Sequence, residues 1–191
     1  MRLSGLLAGL LVAAAIAATS HAASAEDITV KMRVIDAKGV GKEIGTIRAV
    51  DTKKGLMLVP RLAGLAPGAH GFHVHANAAC GARGPDGTIG AGLAAGGHFD
   101  PAKTGHHEGP TGKGHLGDLP ALAVDAKGAA HKAVTAPRLK VADLWGHAIV
   151  VHAGGDNFSD QPAALGGGGA RVACGTVVMA KPKMGAGTKK M

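Results

Sequence analysis

The sequence predicts an all-β fold in which eight short strands form a sandwich or barrel. Apolar and polar residues alternate in short runs along residues 28–179, and this alternation is the period of a half-buried strand. Glycine, proline, asparagine or aspartate residues separate the runs, as they do at turns between strands. The same pattern gives little support to helices.

Turn residues also define how the predicted strands are connected. Asp36-Ala37-Lys38-Gly39 ends the first strand, and Asp125-Ala126-Lys127-Gly128 separates the fifth from the sixth. Two connections, 77–118 and 154–170, are too long for hairpins, and ordered loops of this length usually carry function. We expect a metal and a disulfide to hold them in place. The predicted strands are 28–35, 43–50, 56–62, 69–76, 119–124, 129–135, 147–153 and 171–179.

Residues 1–25 have the layout of a secretory signal peptide. One charged residue, Arg2, precedes an apolar run over 6–18, and Ala23-Ser24-Ala25 provides a cleavage site of small residues. The run is short for a membrane span, so an uncleaved anchor is the weaker alternative. Cleavage would leave a single domain over 26–180, followed by a basic, flexible tail over 181–191.

The chain is basic, with a formal net charge of +8 at pH 7. A basic excess is typical of proteins that bind nucleic acid or an anionic membrane surface. Here only 2% of the residues are aromatic, so a surface for stacking bases is missing. We therefore expect no nucleic acid and no stable membrane association after cleavage.

The two cysteines, Cys80 and Cys174, lie far apart in the sequence. In an oxidising compartment, an even and low number of cysteines favours a single disulfide. Such a crosslink would stabilise the fold by about 4–5 kcal/mol according to the chain-entropy model. A pair of free, buried cysteines is the alternative.

Two histidines one residue apart, His73 and His75, lie in the fourth predicted strand. Because successive side chains of a strand point to opposite faces, Phe72 and Val74 can enter the core while both imidazoles face the other way. Two imidazoles on one side of a strand form half of a metal site. The polar face of a strand can also carry two histidines that bind nothing.

Further histidines and one aspartate follow in glycine-rich segments, and imidazole suits zinc and copper. One metal needs about four ligands, and the chain offers one ligand too few for two separate sites. A shared ligand resolves this, because a deprotonated His98 can bind one metal through each ring nitrogen. The copper set would be His73, His75, His98 and His152, and the zinc set His98, His107, His115 and Asp118.

Five segments carry a resemblance to a known family: 71–75, 96–101, 115–120, 152–157 and 166–175. These segments follow one another in the family's order and are spread over most of residues 28–180. By them the chain resembles the exported bacterial copper/zinc superoxide dismutases. The resemblance implies an eight-stranded antiparallel Greek-key β-barrel, an immunoglobulin-like sandwich with two long functional loops. It also implies a periplasmic location.

The resemblance assigns roles to individual residues and implies one copper and one zinc ion per subunit. His98 would bridge the two metals, and His107 is preferred over His106 because it precedes Glu108-Gly109-Pro110. Asp156 would orient ligands of both sites, and Arg171 would stand beside the copper channel. The implied ligands are His73, His75, His98 and His152 for copper, and His98, His107, His115 and Asp118 for zinc.

The implied activity is dismutation of superoxide to dioxygen and hydrogen peroxide, which would protect the cell envelope. His98 and Arg171 would be the catalytic residues. Members of the family occur as monomers and dimers, so the resemblance allows a homodimer. An exported copper carrier and an interaction module without activity are the alternatives. Outside the predicted signal peptide, the histidines not used as ligands are predicted to be surface or hydrogen-bonded residues: His70, His106, His131 and His147.

Overall fold

The computed structural model describes residues 27–178, which contain ten β-strands and no α-helix. This confirms the all-β prediction. The predicted signal peptide over 1–25 and the basic tail over 181–191 lie outside the described residues. The strands are β1 Asp27–Asp36, β2 Gly39–Thr52, β3 Gly55–Ala63, β4 Gly68–His70, β5 Phe72–His75, β6 Leu122–Val124, β7 Ala129–Ala130, β8 Val134–Ala136, β9 His147–His152 and β10 Arg171–Val177. Short 3-10 turns occupy Leu93–Ala95, Val141–Leu144 and Ala164–Gly167.

Eight of these strands form one antiparallel sheet in the order β5-β9-β10-β1-β2-β3-β7, with β8 also paired to β3. The sheet therefore places strands from the two ends of the chain, β1 and β10, side by side. Such non-consecutive neighbours are what a Greek-key arrangement requires. A separate two-stranded sheet pairs β4 with β6.

Two predicted strands are interrupted in the structure. The segment 69–76 breaks at Gly71, where the chain passes from the small sheet to the large one, so its halves become β4 and β5. The segment 129–135 splits into β7 and β8, which share one register along β3. The gap lies opposite Pro60, which has no N–H to offer a neighbouring strand.

The predicted strand 43–50 begins earlier than expected, at Gly39. The turn before it is tight, because Oδ1 of Asp36 accepts hydrogen bonds from the main-chain N–H groups of Lys38 and Gly39. Gly39 has a φ of +125°, a conformation that favours glycine. Pairing of Asp36 with Gly39 then extends both strands to the turn itself.

The apolar core lies on one face of β5 and the histidines on the other. Phe72 and Val74 are fully buried among leucine, isoleucine and valine side chains. His73 and His75 point away from this core, as predicted, but they are also fully buried. The two long loops cover them, so these histidines line an interior space and do not face solvent.

The long loop after β5 is fixed to the sheet at several points. Its main chain pairs with β5, since Val74 donates to the carbonyl of Gly117 at 2.9 Å and accepts from Phe99 at 2.8 Å. The Cys80–Cys174 disulfide ties the start of the loop to β10, which confirms the predicted pairing. Within the described residues, no helix is long and apolar enough to span a membrane.

Candidate metal centre

Seven predicted ligands come together beneath the two loops. They are supplied by β5, by the end of β9 and by the loop after β5, and each is at most 7% exposed. Two sets of four residues hold potential ligand atoms within 4.8 Å of one another. These sets are His73, His75, His98 and His152, and His73, His98, His107 and Asp118.

In the first set, the rings of His75 and His152 face each other, each with its Nε2 atom. The Nδ1–H of His75 donates to the carbonyl of Gly96 at 2.9 Å, and the Nδ1–H of His152 donates to Gly169 at 3.1 Å. Burial lowers the pKa of His75 well below its usual range and that of His152 to about 4, so both rings are neutral. Their Nε2 lone pairs therefore point into a common space, as ligands of one metal would.

His73 uses the opposite ring nitrogen. Its Nε2–H donates to Oδ2 of Asp156 at 2.8 Å, which leaves Nδ1 facing the cluster. Burial lowers the pKa of His73 to about 3, although Asp156 acts in the other direction. A neutral ring with a free lone pair is the form that binds a metal.

His98 lies between the two sets and faces both. Its Nδ1 is 3.0 Å from Oδ1 of Asp118, while its ring stacks against His73 with centroids 3.9 Å apart. Its Nε2 is buried and has no hydrogen-bond partner in the described residues. One imidazole thus presents a nitrogen to each cluster.

The second cluster is arranged around the carboxylate of Asp118. Its Oδ1 lies 3.0 Å from Nδ1 of His107 and 3.4 Å from Nδ1 of His115. Burial lowers the pKa of His107, but the carboxylates of Asp118 and Asp156 outweigh it and raise this pKa to about 9. His115 lies at the edge of the cluster, since it is not among the four residues whose potential ligand atoms lie within 4.8 Å of one another. The structure nevertheless brings all four predicted zinc residues together.

Unpartnered nitrogen atoms mark the same residues. Within residues 27–178, five buried side-chain nitrogen or oxygen atoms have no hydrogen-bond partner. One is Oδ1 of Asp100, and an orphaned buried polar atom ordinarily costs about 1–3 kcal/mol. The other four are His73 Nδ1, His98 Nε2, His107 Nδ1 and His115 Nδ1. Metal coordination would use all four, so the donor set fits copper and zinc.

Asp156 joins the two clusters from outside. Its second oxygen, Oδ1, accepts a hydrogen bond from Nε2 of His107 at 2.8 Å, in addition to the bond from His73. Burial opposes ionisation of Asp156, but these hydrogen bonds outweigh it and hold its pKa well below the usual range. One carboxylate therefore holds a ring in each cluster, and the role of Asp156 in orienting metal ligands stays a prediction.

Arg171 lies beside the first cluster. Its guanidinium donates to the carbonyls of Gly92 at 2.7 Å and Gly96 at 2.6 Å, so its position is fixed by the long loop. It shares the lining of a cavity of about 240 Å³ with His98 and His152. The structure thus places this arginine beside two predicted copper ligands.

The remaining histidines behave largely as surface or hydrogen-bonded residues. His106 and His131 are exposed, and His147 packs against Phe99 and donates to a carbonyl. His70 is buried between the carbonyls of Ala66 and His152, each 2.7 Å from one ring nitrogen. It therefore supports the backbone of a predicted copper ligand.

Sequence analysis missed two residues that fasten the loops. Asp160 accepts main-chain hydrogen bonds from His107 at 2.9 Å and Leu165 at 3.1 Å, which joins the two long loops. Arg138 donates to four carbonyls of the loop after β5. No local pattern marks either residue, because every one of Arg138's contacts crosses more than 20 positions of sequence.

Comparison with known proteins decides the identity of the centre. The family model described as copper/zinc superoxide dismutase (SODC) matches residues 43–177. The chain belongs to the copper/zinc superoxide dismutase family. It is therefore an enzyme that converts superoxide to dioxygen and hydrogen peroxide, with copper and zinc as cofactors.

Individual relatives agree over most of the chain. The copper/zinc superoxide dismutase of Photobacterium leiognathi is 54% identical over 159 residues, which is 83% of this chain and 90% of that protein. The structure of the Brucella abortus enzyme matches with a TM-score of 0.76 and 50% identity, covering 80% of this chain and 99% of the other. The monomeric Salmonella enterica enzyme matches with a TM-score of 0.71 and 52% identity, with the same two coverages.

Proposed function

We propose that the two clusters divide the work of superoxide dismutation between a copper site and a zinc site that share His98. The supporting observation is the position of this ring, with Nδ1 3.0 Å from Asp118 and a buried, unpartnered Nε2 on the other side. The copper ligands would be His73, His75, His98 and His152, and the zinc ligands His98, His107, His115 and Asp118.

The bound metals would supply two kinds of chemistry: copper exchanges one electron with each of two superoxide anions, and zinc, which does not change oxidation state, fixes the geometry. The overall reaction consumes two superoxide anions and two protons and yields one dioxygen and one hydrogen peroxide. The protein's own residues must attract the anion, exclude other reactants and deliver protons.

Arg171 would attract the anion. Its guanidinium keeps donors and positive charge beside the cavity that His98 and His152 also line, while the carbonyls of Gly92 and Gly96 hold it still. A fixed cation at the lining of a cavity raises the local concentration of an anionic substrate.

His98 would also handle a proton. His98 lines the cavity, and its buried Nε2 has no hydrogen-bond partner among the described residues, so this nitrogen can carry a proton close to the substrate. Burial and the neighbouring imidazoles lower the pKa of the free ring, with Asp118 opposing them, so a proton held there is readily given up. Solvent in the open channel would supply the second proton.

Asp156 would fix the orientation of the His73 and His107 rings. Both rings donate their Nε2–H to this carboxylate at 2.8 Å, which fixes the tautomer that leaves each Nδ1 for a metal. An exported copper carrier needs neither this link nor a second metal cluster. The linked clusters therefore favour catalysis over transport.

The proposal extends to where the enzyme works. Cleavage after Ala25 would release the domain 26–180 with its basic tail 181–191 into the periplasm, where it would protect the cell envelope. All proposed ligands belong to one chain, so the chemistry requires no second subunit. The Salmonella enterica relative is monomeric. Sedimentation of the purified protein distinguishes a monomer from the homodimer that the family also allows.

The proposal is tested by measuring metal content and superoxide removal in the wild type and in His98→Ala. We expect the variant to lose nearly all activity and to retain copper and zinc less tightly. His131→Ala, which removes an exposed histidine just after β7, serves as the control. Full activity in His98→Ala would defeat the shared-ligand scheme, and full metal occupancy without activity in the wild type would favour a carrier.

A further inference from the structure

Arg138 makes four hydrogen bonds to the loop that carries the second cluster. Its Nε donates to the carbonyl of Pro110 at 3.1 Å and its Nη1 to that of Gly114 at 3.0 Å. Its Nη2 donates to the carbonyl of Gly109 at 3.2 Å and also to that of His115. One guanidinium thus satisfies four main-chain oxygens.

Four carbonyl oxygens that converge on one point repel each other unless a cation lies between them. The guanidinium is planar, always charged and offers five donors in a fixed fork, four of which are used here. A neutral side chain at this position would leave several carbonyls without partners. The folded shape of residues 109–115 therefore depends on Arg138.

Arg138 lies in the turn after β8, and the chain around it is anchored in the sheet and the core. It follows β8, whose last residue, Ala136, is buried and paired with Leu56 of β3. The next residue, Leu139, is only 1% exposed and lies in the apolar core. The chain is thus anchored two residues before Arg138 by strand pairing and one residue after it by a side chain in the core.

The segment that Arg138 holds carries predicted zinc ligands at both ends. His115 donates its main-chain N–H to the carbonyl of His106 at 2.9 Å, so residues 106 and 115 close a loop next to His107. The approach is close: a Cβ added to Gly114 would lie 2.2 Å from the carbonyl oxygen of His106. Arg138 is bonded to the carbonyl of His115 itself, so it sets the backbone from which this ring projects.

We propose that Arg138 is a positioning residue that holds the loop 106–115 in its metal-binding form before zinc arrives. It would therefore set how tightly zinc is bound and affect copper binding much less, because three of the four proposed copper ligands, His73, His75 and His152, lie on β5 and β9. This inference rests on the proposed zinc site. Partners behind a ligand typically contribute 10–100-fold to metal affinity.

The test is zinc affinity of the metal-free protein, measured by competition with a chromogenic chelator. For Arg138→Ala we expect binding about 10–100-fold weaker than in the wild type. Arg138→Lys keeps the charge but loses the planar fork, so we expect an intermediate loss. Arg61→Ala removes an exposed arginine of β3 and should bind zinc like the wild type.

Two further readouts separate positioning from general destabilisation. Copper affinity of Arg138→Ala should stay within about threefold of the wild type, because loss of a loop contact leaves β5 and β9 intact. Millimolar guanidinium ion should partly restore zinc affinity to Arg138→Ala but not change that of the wild type. Hydrogen exchange of amides 106–115 in the metal-free protein should accelerate in both Arg138 variants.

The outcomes distinguish failure of the positioning role of Arg138 from failure of the proposed zinc site. Wild-type zinc affinity in a folded Arg138→Ala or Arg138→Lys overturns the positioning role, and so does an equal loss of copper and zinc affinity. If Arg138→Ala does not fold, Arg138→Lys decides alone. Failure of the wild-type protein to bind zinc would instead overturn the proposed zinc site.

Discussion

Asp156 accepts a hydrogen bond from Nε2 of His107 in the second cluster at 2.8 Å, and its other oxygen accepts one of equal length from Nε2 of His73 in the first cluster. One buried carboxylate thereby makes the orientation of a ring in each cluster depend on the other. The two proposed metal sites are linked twice, through this carboxylate and through the shared imidazole of His98.

Replacing this link should weaken both sites. In Asp156→Asn, the amide offers a single acceptor oxygen, so either His73 or His107 loses its partner. We expect zinc affinity to fall about 10–100-fold and activity to fall with it. Equilibrium dialysis of both metals checks this, with Glu43→Gln, an exposed carboxylate of β2, as the control. Unchanged zinc binding in Asp156→Asn would contradict the orienting role.

Reversing the charge at Arg171 should act on the encounter with the substrate. Arg171→Glu places negative charge beside the cavity, so we expect a rate at least about tenfold lower at low salt. Because salt screens both attraction and repulsion, the rate should fall with added salt in the wild type and rise in the variant. Rates measured from 10 to about 200 mM salt check this.

Arg61→Glu provides the control for that experiment, since it makes the same change of charge on the exposed surface of β3. It should alter the rate and its salt dependence only slightly. An Arg171→Glu protein with the wild-type salt dependence would remove Arg171 from the proposed mechanism.

Zinc binding should release a proton, because His107 is charged in the metal-free protein. Two carboxylates raise its pKa to about 9, so the ring is protonated at pH 7.5 and zinc must displace the proton on Nδ1. The sign follows directly: release from this ring is complete well below the pKa and is lost as the pH rises through it. At pH 9.5 it should be well under half a proton.

Calorimetry in buffers of different ionisation enthalpy measures this proton release. His131→Ala, which removes an exposed histidine outside the proposed zinc site, provides the control and should release as many protons as the wild type. A release that does not change between pH 7.5 and 9.5 would contradict the charged state assigned to His107.

The disulfide should contribute strongly to stability. Cys80 and Cys174 are 94 residues apart, and in the chain-entropy model a crosslink of this span contributes about 4–5 kcal/mol. The double variant Cys80→Ser/Cys174→Ser should lose a free energy of unfolding of this order in urea. A reductant should lower the free energy of unfolding of the wild type by a similar amount. It should leave that of the double variant unchanged. A loss below about 1 kcal/mol would show that the crosslink matters little.

Much of the fold, and the grouping of the candidate ligands, were predictable because the signals are local. The two-residue period of β5 placed Phe72 and Val74 in the core and both histidines on the other face. Their complete burial was not predictable, because it depends on loops that cover them from distant parts of the chain. The break between β7 and β8 was missed for a similar reason, since it lies opposite Pro60 on another strand.

The loop contacts form the other part that sequence analysis missed. Arg138 and Asp160 resemble ordinary surface residues in the sequence, and neither lies at a recognisable metal-ligand spacing. Their partners are main-chain groups, which carry no residue-specific signal. Only the folded chain shows that these two side chains fix the backbone of the proposed zinc ligands.

The central claim is that one imidazole, His98, joins both metals, and a magnetic measurement tests it most directly. If copper(II) is loaded into both sites, two copper ions joined by one imidazolate should couple antiferromagnetically. We predict that the electron paramagnetic resonance signal of this protein at low temperature is far below that of two independent copper ions. A full signal from two uncoupled copper ions in the wild type would contradict the shared ligand.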